Sequence, residues 1–336
     1  MIVSVVGTRP QFIKASILHR TMPHDVIDTG QHYDYSMAGQ YMGNMQAHPL
    51  SSAGDVAGMY RALLPKLRKY DTIVVYGDCN TTLAGALATK RLGKKLVHIE
   101  AGCRSFDRRM VEESIRITVD HLADLNLCPT QTALQNLTDE SAYGLFVGDL
   151  SWDYIKTSKF VNEPLKHGLV TIHRAENMER MDEILDILES TNLFMMWPMH
   201  PKMRRYTLPD NVEARNPLPY DAMLNYLYNA PFIITDSGGL QKEAYMLKTK
   251  CITLRDNTEW SETLVGGWNT LAGTDKDKVL RALEKEPEFY TDGLFGDGHS
   301  AERIKNEIER LDRTGGKGCY QESRTAAGHA AIGRAG

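Results

Sequence analysis

Arg9, Asp78, Glu100, His173 and Ser237 each stand within a few positions of the end of a short apolar run. Their types suit acid, base or anion chemistry. Asp236-Ser237-Gly238-Gly239-Leu240-Gln241-Lys242-Glu243 is the clearest local pattern. A glycine pair between a strand and a helix lets the backbone approach a ligand. The N–H groups of the helix start and the helix dipole then favour a phosphate. Glu243, four residues past Gly239 and expected on about the first turn of that helix, can accept hydrogen bonds from a ribose diol. Gly7-Thr8-Arg9-Pro10 is a second strand-to-helix turn. Pro10 suits the first turn of a helix, Arg9 can reach a diphosphate, and Lys14 follows about one turn later.

A third group is Glu100-Ala101-Gly102-Cys103-Arg104-Ser105 with Glu112, Glu113 and Arg116. Carboxylates in a cleft beside an arginine can remove and return protons. The spacing of Glu112, Glu113 and Arg116 is also that of an ordinary surface ion pair. A carboxylate just after a strand can equally cap the next helix. His173-Arg174-Ala175-Glu176-Asn177 offers a histidine able to act as an acid or hydrogen-bond donor beside a phosphate, although a lone histidine is more often structural. His98 sits inside a strand and His32 in a loop. HxxxH spacing and an aspartate-rich loop are both missing, which predicts no metal.

The elements that must position these residues are short. Ile2–Val6, Val26-Ile27, Ile73–Tyr76 and Leu96–Ile99 read as buried strands, and residues 12–20 and 55–69 read as helices. Pro65 predicts a break or kink in the latter. After Val147-Gly148 the alternation restarts with Leu169–Ile172, Leu193–Trp197, Phe232–Thr235 and Cys251–Leu254. Buried strands alternating with helices imply parallel sheets covered on both faces. The expected fold is α/β, with two doubly wound Rossmann-like domains facing each other across a cleft. Residues 1–155 form the first and 156–300 the second. A helix over about 301–313 returns to the first, and 314–336 is an irregular tail rich in small residues. Ligands of open α/β sheets bind beyond the carboxyl ends of the strands, where the reactive residues stand.

The 336 residues are enough for two domains. With Lys+Arg 39 against Asp+Glu 43, nothing suggests nucleic acid as a partner. No apolar run is long enough for a membrane span, and Met1–Val6 does not read as a signal peptide. The five cysteines lack CxxC spacing, so neither a disulfide framework nor structural zinc is expected, and the chain reads as cytoplasmic.

Taken together the segments resemble the non-hydrolysing UDP-N-acetylglucosamine 2-epimerase family. The strings carrying the resemblance are GTRPQFIKA, TGQHYDYSM, VYGDCNTTLAGALA, VHIEAGCRSF, VEESIR, TIHRAEN, PMHP, DSGGLQKEA, LRDNTEW and GDGHSAERI, in that order. The resemblance implies a two-domain GT-B-like fold and a cofactor-free inversion at C2 of a UDP-sugar, UDP-GlcNAc to UDP-ManNAc. It proceeds by loss and return of UDP through a bound 2-acetamidoglucal. It implies Asp78, Glu100 and Glu112 as acid/base carboxylates and His173 beside them in the catalytic set. Arg9, Lys14 and Arg116 become diphosphate-stabilising groups, and Ser237, Gly238, Gly239 and Glu243 nucleotide ligands. It further implies a homodimer. Val111 stands where the family has proline before the paired glutamates, and Thr258-Glu259-Trp260-Ser261-Glu262 replaces TERPE. Gln31-His32-Tyr33-Asp34 replaces the QHRxM of substrate-activated members. GTRPQ, QHYDY, EAGCRSF and TEW lie closer to a branch including epimerases of UDP-2,3-diacetamido-glucuronate. The competing functions are a retaining glycosyltransferase on the same scaffold, a hydrolysing epimerase releasing free N-acetylmannosamine, and a non-catalytic nucleotide-sugar sensor.

Overall fold

The computed structural model describes residues 1–31, 47–50, 54–199 and 205–314. His32, the end of the PMHP string and the tail beyond Thr314 lie outside the described residues. The chain divides into two compact units. The first comprises Met1–Tyr154 with the segment beginning at Phe295, and the second Ile155–Leu294. The chain leaves the first unit inside the helix Leu150–Thr157.

The first unit is built on strands β1 (Ile2–Val6), β2 (Asp25–Asp28), β3 (Ala47–Pro49), β4 (Thr72–Tyr76), β5 (Lys95–Ile99), β6 (Leu125–Cys128) and β7 (Leu145–Phe146). They lie in the order β3-β2-β1-β4-β5-β6-β7, and every neighbouring pair is parallel. The second unit holds β8 (Gly168–Thr171), β9 (Met195–Pro198), β10 (Val212–Arg215), β11 (Phe232–Thr235), β12 (Lys250–Thr253) and β13 (Asn269–Leu271). Their order is β10-β9-β8-β11-β12-β13, again all parallel. Both sheets therefore reverse direction of growth once, between β1 and β4 and between β8 and β11. At such a switch point the loops leaving two neighbouring strands run to opposite faces, which opens a crevice at the carboxyl edge.

β-Branched and aromatic side chains buried on both faces hold the central strands, and all of Thr72–Tyr76 is buried. The helix Asn80–Arg91 uses small residues to sit close on this sheet: a Cβ on Gly85 would lie 3.0 Å from Val75 Cγ1. The helix Val56–Leu67 runs through Pro65 without ending there. Pro65 falls in its last turn, where little helix remains to be disrupted. The final helix, Ser300–Thr314, belongs to the first unit. Buried Asp153 accepts hydrogen bonds from Ser300 N (2.9 Å) and Ala301 N (2.7 Å), satisfying donors of its first turn. Thr72 Oγ1 donates to Asp312 Oδ1 near its other end (2.6 Å). No helix among the described residues is long and apolar enough to cross a membrane.

Candidate active site

In the first unit the switch point gathers two turns. After β1, Gly7 is required by close approach: a Cβ there would lie 2.2 Å from Thr29 Oγ1 and 2.3 Å from Thr81 Oγ1. Thr8 then caps the helix Arg9–Thr21, with Arg9 at its first position and Pro10 at its second. Gln11, present in the GTRPQ string but given no role from sequence, joins the two turns. Its Oε1 accepts from Gly7 N (2.9 Å) and its Nε2 donates to the Tyr76 carbonyl (2.7 Å) and to Thr82 Oγ1 (3.0 Å).

After β4, Gly77 takes φ +62°, and Asp78 follows at the entrance of Asn80–Arg91. After β5, Glu100 itself adopts φ +69°. That left-handed conformation costs a non-glycine residue about 1–2 kcal/mol. The Leu127 carbonyl holds it in place, accepting from Glu100 N (3.1 Å) and Ala101 N (3.2 Å). Glu100 Oε2 lies 3.3 Å from where a Cβ on Gly77 would sit, so the carboxylate lies against the turn that carries Asp78.

Each of these carboxylates faces a cation from another element. Lys14 pairs with Glu100, their side chains 10% and 13% exposed, and Arg116 pairs with Asp78. Arg116 also contacts Glu113 at 2.9 Å. That pair has the expected i,i+3 spacing, but it is buried rather than a surface contact, because helix Val111–Leu122 turns this face inward. Glu113 accepts from Ser105 N (3.0 Å), Ser105 Oγ (2.9 Å) and Phe106 N (2.9 Å). Burial opposes its charge, but these donors and Arg116 hold it below the usual carboxylate range. Glu113 thus anchors the loop after β5, and Glu112 stays exposed on the first turn. The structure brings Lys14, Asp78, Glu100 and Arg116 together. Arg9 is half-buried at the neighbouring helix start.

In the second unit the loops after β8 and β11 meet on Asp236, which is fully buried. Its carboxylate accepts from His173 N (3.1 Å), Arg174 N (2.9 Å) and Asn177 Nδ2 (3.0 Å). His173 Nδ1 lies 3.1 Å from Asp236 Oδ1, and the His173 side chain is 61% exposed. Burial works against the Asp236 charge, yet His173 and the neighbouring donors keep it below the usual range. The pair engages Nδ1 of a ring that is otherwise mostly exposed. Asp236 was visible only as the residue before Ser237, and its role depends on contacts about sixty positions away.

Ser237 caps the helix Gly238–Leu247, its Oγ accepting from Leu240 N (3.4 Å). The N–H groups of Gly238 and Gly239 have no carbonyl within the helix to bond. A Cβ on Gly238 would lie 2.1 Å from Glu259 Oε1, so an internal carboxylate packs against this turn, itself paired with buried Arg255 at 2.8 Å. Lys242 Nζ sits 4.5 Å from the Trp260 ring centroid, and both residues are buried. Glu243 stands in the second turn rather than the first, with Oε1 accepting from Tyr220 OH at 2.8 Å. Among the described residues no group of three His, Cys, Asp or Glu side chains is arranged to hold a metal ion. Cys79, beside Asp78, is a free thiol whose titration burial pushes upward.

Two doubly wound parallel units, each with candidate residues at its switch point, define a two-domain α/β protein of the GT-B-like class. A methanogen structure shares that architecture: Methanocaldococcus jannaschii UDP-GlcNAc 2-epimerase in complex with UDP-GlcNAc and UDP, at TM-score 0.81 and 31% identity, covering 92% of this chain and 100% of that one. The profile described as UDP-N-acetylglucosamine 2-epimerase matches residues 16–309, and this chain belongs to that family of isomerases. It is 37% identical to a UDP-N-acetylglucosamine 2-epimerase homolog of Methanococcus maripaludis, over 92% of this chain and 99% of that protein. It is 33% identical to the UDP-2,3-diacetamido-2,3-dideoxy-D-glucuronate 2-epimerase of Pseudomonas aeruginosa, over 92% and 99%.

Proposed function

We propose that this chain inverts C2 of a UDP-N-acetylhexosamine, interconverting UDP-GlcNAc and UDP-ManNAc by elimination and re-addition of UDP. The observation that carries the reading is the pair of cation–carboxylate couples, Lys14 with Glu100 and Arg116 with Asp78, at one switch point. A base removes the C2 proton and its electrons form the C1–C2 double bond. The C1–oxygen bond breaks and UDP departs with that bonding pair, giving a 2-acetamidoglucal. UDP then re-adds to C1 while an acid delivers a proton to the opposite face of C2. One group returning its own proton would restore the starting sugar, so inversion needs an acid and a base on different faces.

Asp78, Glu100 and Glu112 are the candidates for these two roles. Lys14 and Arg116 move no proton. Their charges, with Arg9 and His173, offset the negative charge that develops on departing UDP. The helix start at Ser237–Gly239 suits the diphosphate and Glu243 the ribose diol.

A second reading keeps the same chemistry on UDP-2,3-diacetamido-glucuronate, and the likeness to the Pseudomonas aeruginosa enzyme favours it. Incubation of the full chain with UDP-GlcNAc in deuterated water, followed by NMR, tests both. Loss of the H2 signal with new UDP-ManNAc resonances is expected. Exchange confined to the diacetamido-uronate would move the second reading ahead, and release of free N-acetylmannosamine would replace both with hydrolysis.

A further inference from the structure

Behind the strand ends of the first unit lies a charged cluster that no step above uses. His98, on β5 and wholly buried, places Nδ1 2.7 Å from Asp120 Oδ1 and Nε2 2.8 Å from the Gly77 carbonyl oxygen. Asp120 Oδ2 accepts from Gly102 N (3.1 Å) and lies 2.7 Å from Arg104 Nη1. Arg104 in turn donates from Nε and Nη2 to the two oxygens of Glu140, at 2.7 and 2.8 Å.

Both partners of the His98 ring are acceptors only, a carboxylate and a carbonyl. Each ring nitrogen therefore has to bring a proton. Burial works against the Asp120 charge, but His98 and Arg104 hold its carboxyl below the usual range. Asp120 stands against the ring, with Arg104 and Glu140 behind it and His121 Nδ1 3.9 Å from Glu140; the Cys128 thiol of β6, which burial pushes upward, feels Asp120 and Arg104.

The cluster touches both turns of the site. Gly77 immediately precedes Asp78, and its N–H donates to the Ile99 carbonyl (3.0 Å), next to Glu100. Gly102, bonded to Asp120, follows Glu100 by two residues. We propose that His98 is a positioning residue for proton transfer: held as an imidazolium between Asp120 and the Gly77 carbonyl, it sets where Asp78 stands relative to Glu100. The proposal rests on the reading of Asp78 and Glu100 given above.

Two substitutions separate the two ends of the ring. The amide of His98→Gln reaches about as far as Nε2 and can still donate to the Gly77 carbonyl. That of His98→Asn reaches only about as far as Nδ1 and serves Asp120 alone. A displacement of about 1 Å costs roughly 10²-fold in rate, so His98→Asn lowers kcat by about that factor with KM little changed, while His98→Gln recovers most of it. Both variants lose thermal stability similarly, so a structural role alone would not split their kcat values. In the full wild-type chain labelled with 15N-histidine, both His98 nitrogens are protonated at neutral pH, the ring being identified by the slow solvent exchange of its wholly buried protons. A neutral ring overturns the proposal, even if neither variant folds. Equal kcat in the two variants, or normal kcat in His98→Asn, overturns it too while leaving the epimerase reading intact. A wild type that exchanges no deuterium into C2 of either UDP-sugar sinks that reading and the positioning role with it.

Discussion

The two units share a strand order but furnish their switch points differently. In the first, charge is met by charge: Lys14 faces Glu100, Arg116 faces Asp78 and Glu113, and Arg104 faces Asp120. In the second, the buried carboxylate of Asp236 is met by the backbone N–H groups of His173 and Arg174, the Asn177 amide and the His173 ring, and the neighbouring turn offers glycine amides beside a single buried pair, Arg255 with Glu259. Each unit also sets a histidine against an aspartate, and the two differ. His98 has both nitrogens engaged in the interior, whereas His173 is anchored through Nδ1 and exposed beyond it. Paired ions in a partly dry setting suit the making and breaking of C–H bonds, because small movements change the cost of a proton. Fixed dipoles suit the holding of an anion, because they need no reorganisation. The function proposed above puts the chemistry in the first unit and the nucleotide in the second, and the contrast supports that division.

The largest effects test that division directly. Asp78→Asn, Glu100→Gln and Glu112→Gln keep shape but accept no proton. Each is expected to lower turnover by about 10²–10⁴, the usual worth of a positioned acid or base. UDP affinity by calorimetry should stay near wild type. Loss of UDP binding in all three would erase the division between the units, and near-normal turnover in all three would reduce these residues to caps and ion-pair partners.

The adjacent glutamates sharpen it next. Glu113 is buried against Arg116 and three donors, and Arg116 keeps Asp78 as a partner, so Glu113→Gln is expected to cost about 1.5–3 kcal/mol of stability. Glu112→Gln, on an exposed position, should leave the melting temperature unchanged. Acid denaturation follows from the same site. A carboxyl with a lowered native pKa contributes stability that is complete above its unfolded value and lost as pH falls through the native one. Glu113 and Asp120 in the first unit and Asp236 in the second all shift that way. Stability should therefore fall below about pH 4–5, and the fall should be shallower in Glu113→Gln. An identical acid limb in that variant would show that Glu113 is not charged against Arg116.

Much of this was legible in the chain, for a physical reason. Central strands such as Thr72–Tyr76 are continuous apolar runs, and the polar residue that ends each run falls at the carboxyl edge. Asp78, Glu100, His173 and Ser237 could be placed at that edge from sequence alone. The strands missed are short or interrupted: Ala47–Pro49, Leu145–Phe146, Val212–Arg215 and Asn269–Leu271 give no run to see. In Leu125–Cys128 a buried asparagine breaks the pattern, its amide spent on the Asp120 and Tyr143 carbonyls. Partners distant along the chain were equally invisible. Gln11 reaches Tyr76, Asp236 reaches His173, and Asp120 reaches His98 only once the sheets form. Local spacing showed Glu112, Glu113 and Arg116 as neighbours but could not say which glutamate turns inward.

The smallest expected effects come from the glycine pair, which separates what the protein needs from what its ligand needs. Gly238 is required by the fold itself. A methyl group there meets Glu259 Oε1 at 2.1 Å, and Glu259 cannot retreat without leaving buried Arg255. Gly238→Ala should therefore lower stability with or without UDP. Gly239 faces no such neighbour: the nearest atom to a Cβ is Ser237 Oγ at 3.9 Å, and the residue is helical. In the free protein Gly239→Ala should be neutral or stabilising by about 0.4–1 kcal/mol, since alanine restricts the unfolded chain. If a diphosphate lies against this helix start, the same methyl crowds only the bound state. UDP affinity should then fall about tenfold, some 1.4 kcal/mol, while the free protein melts no lower than wild type. Calorimetry and thermal melting of the one variant supply both numbers. Unchanged UDP affinity would remove the helix start from the nucleotide site, and with it the argument that the second unit holds the anion through backbone dipoles.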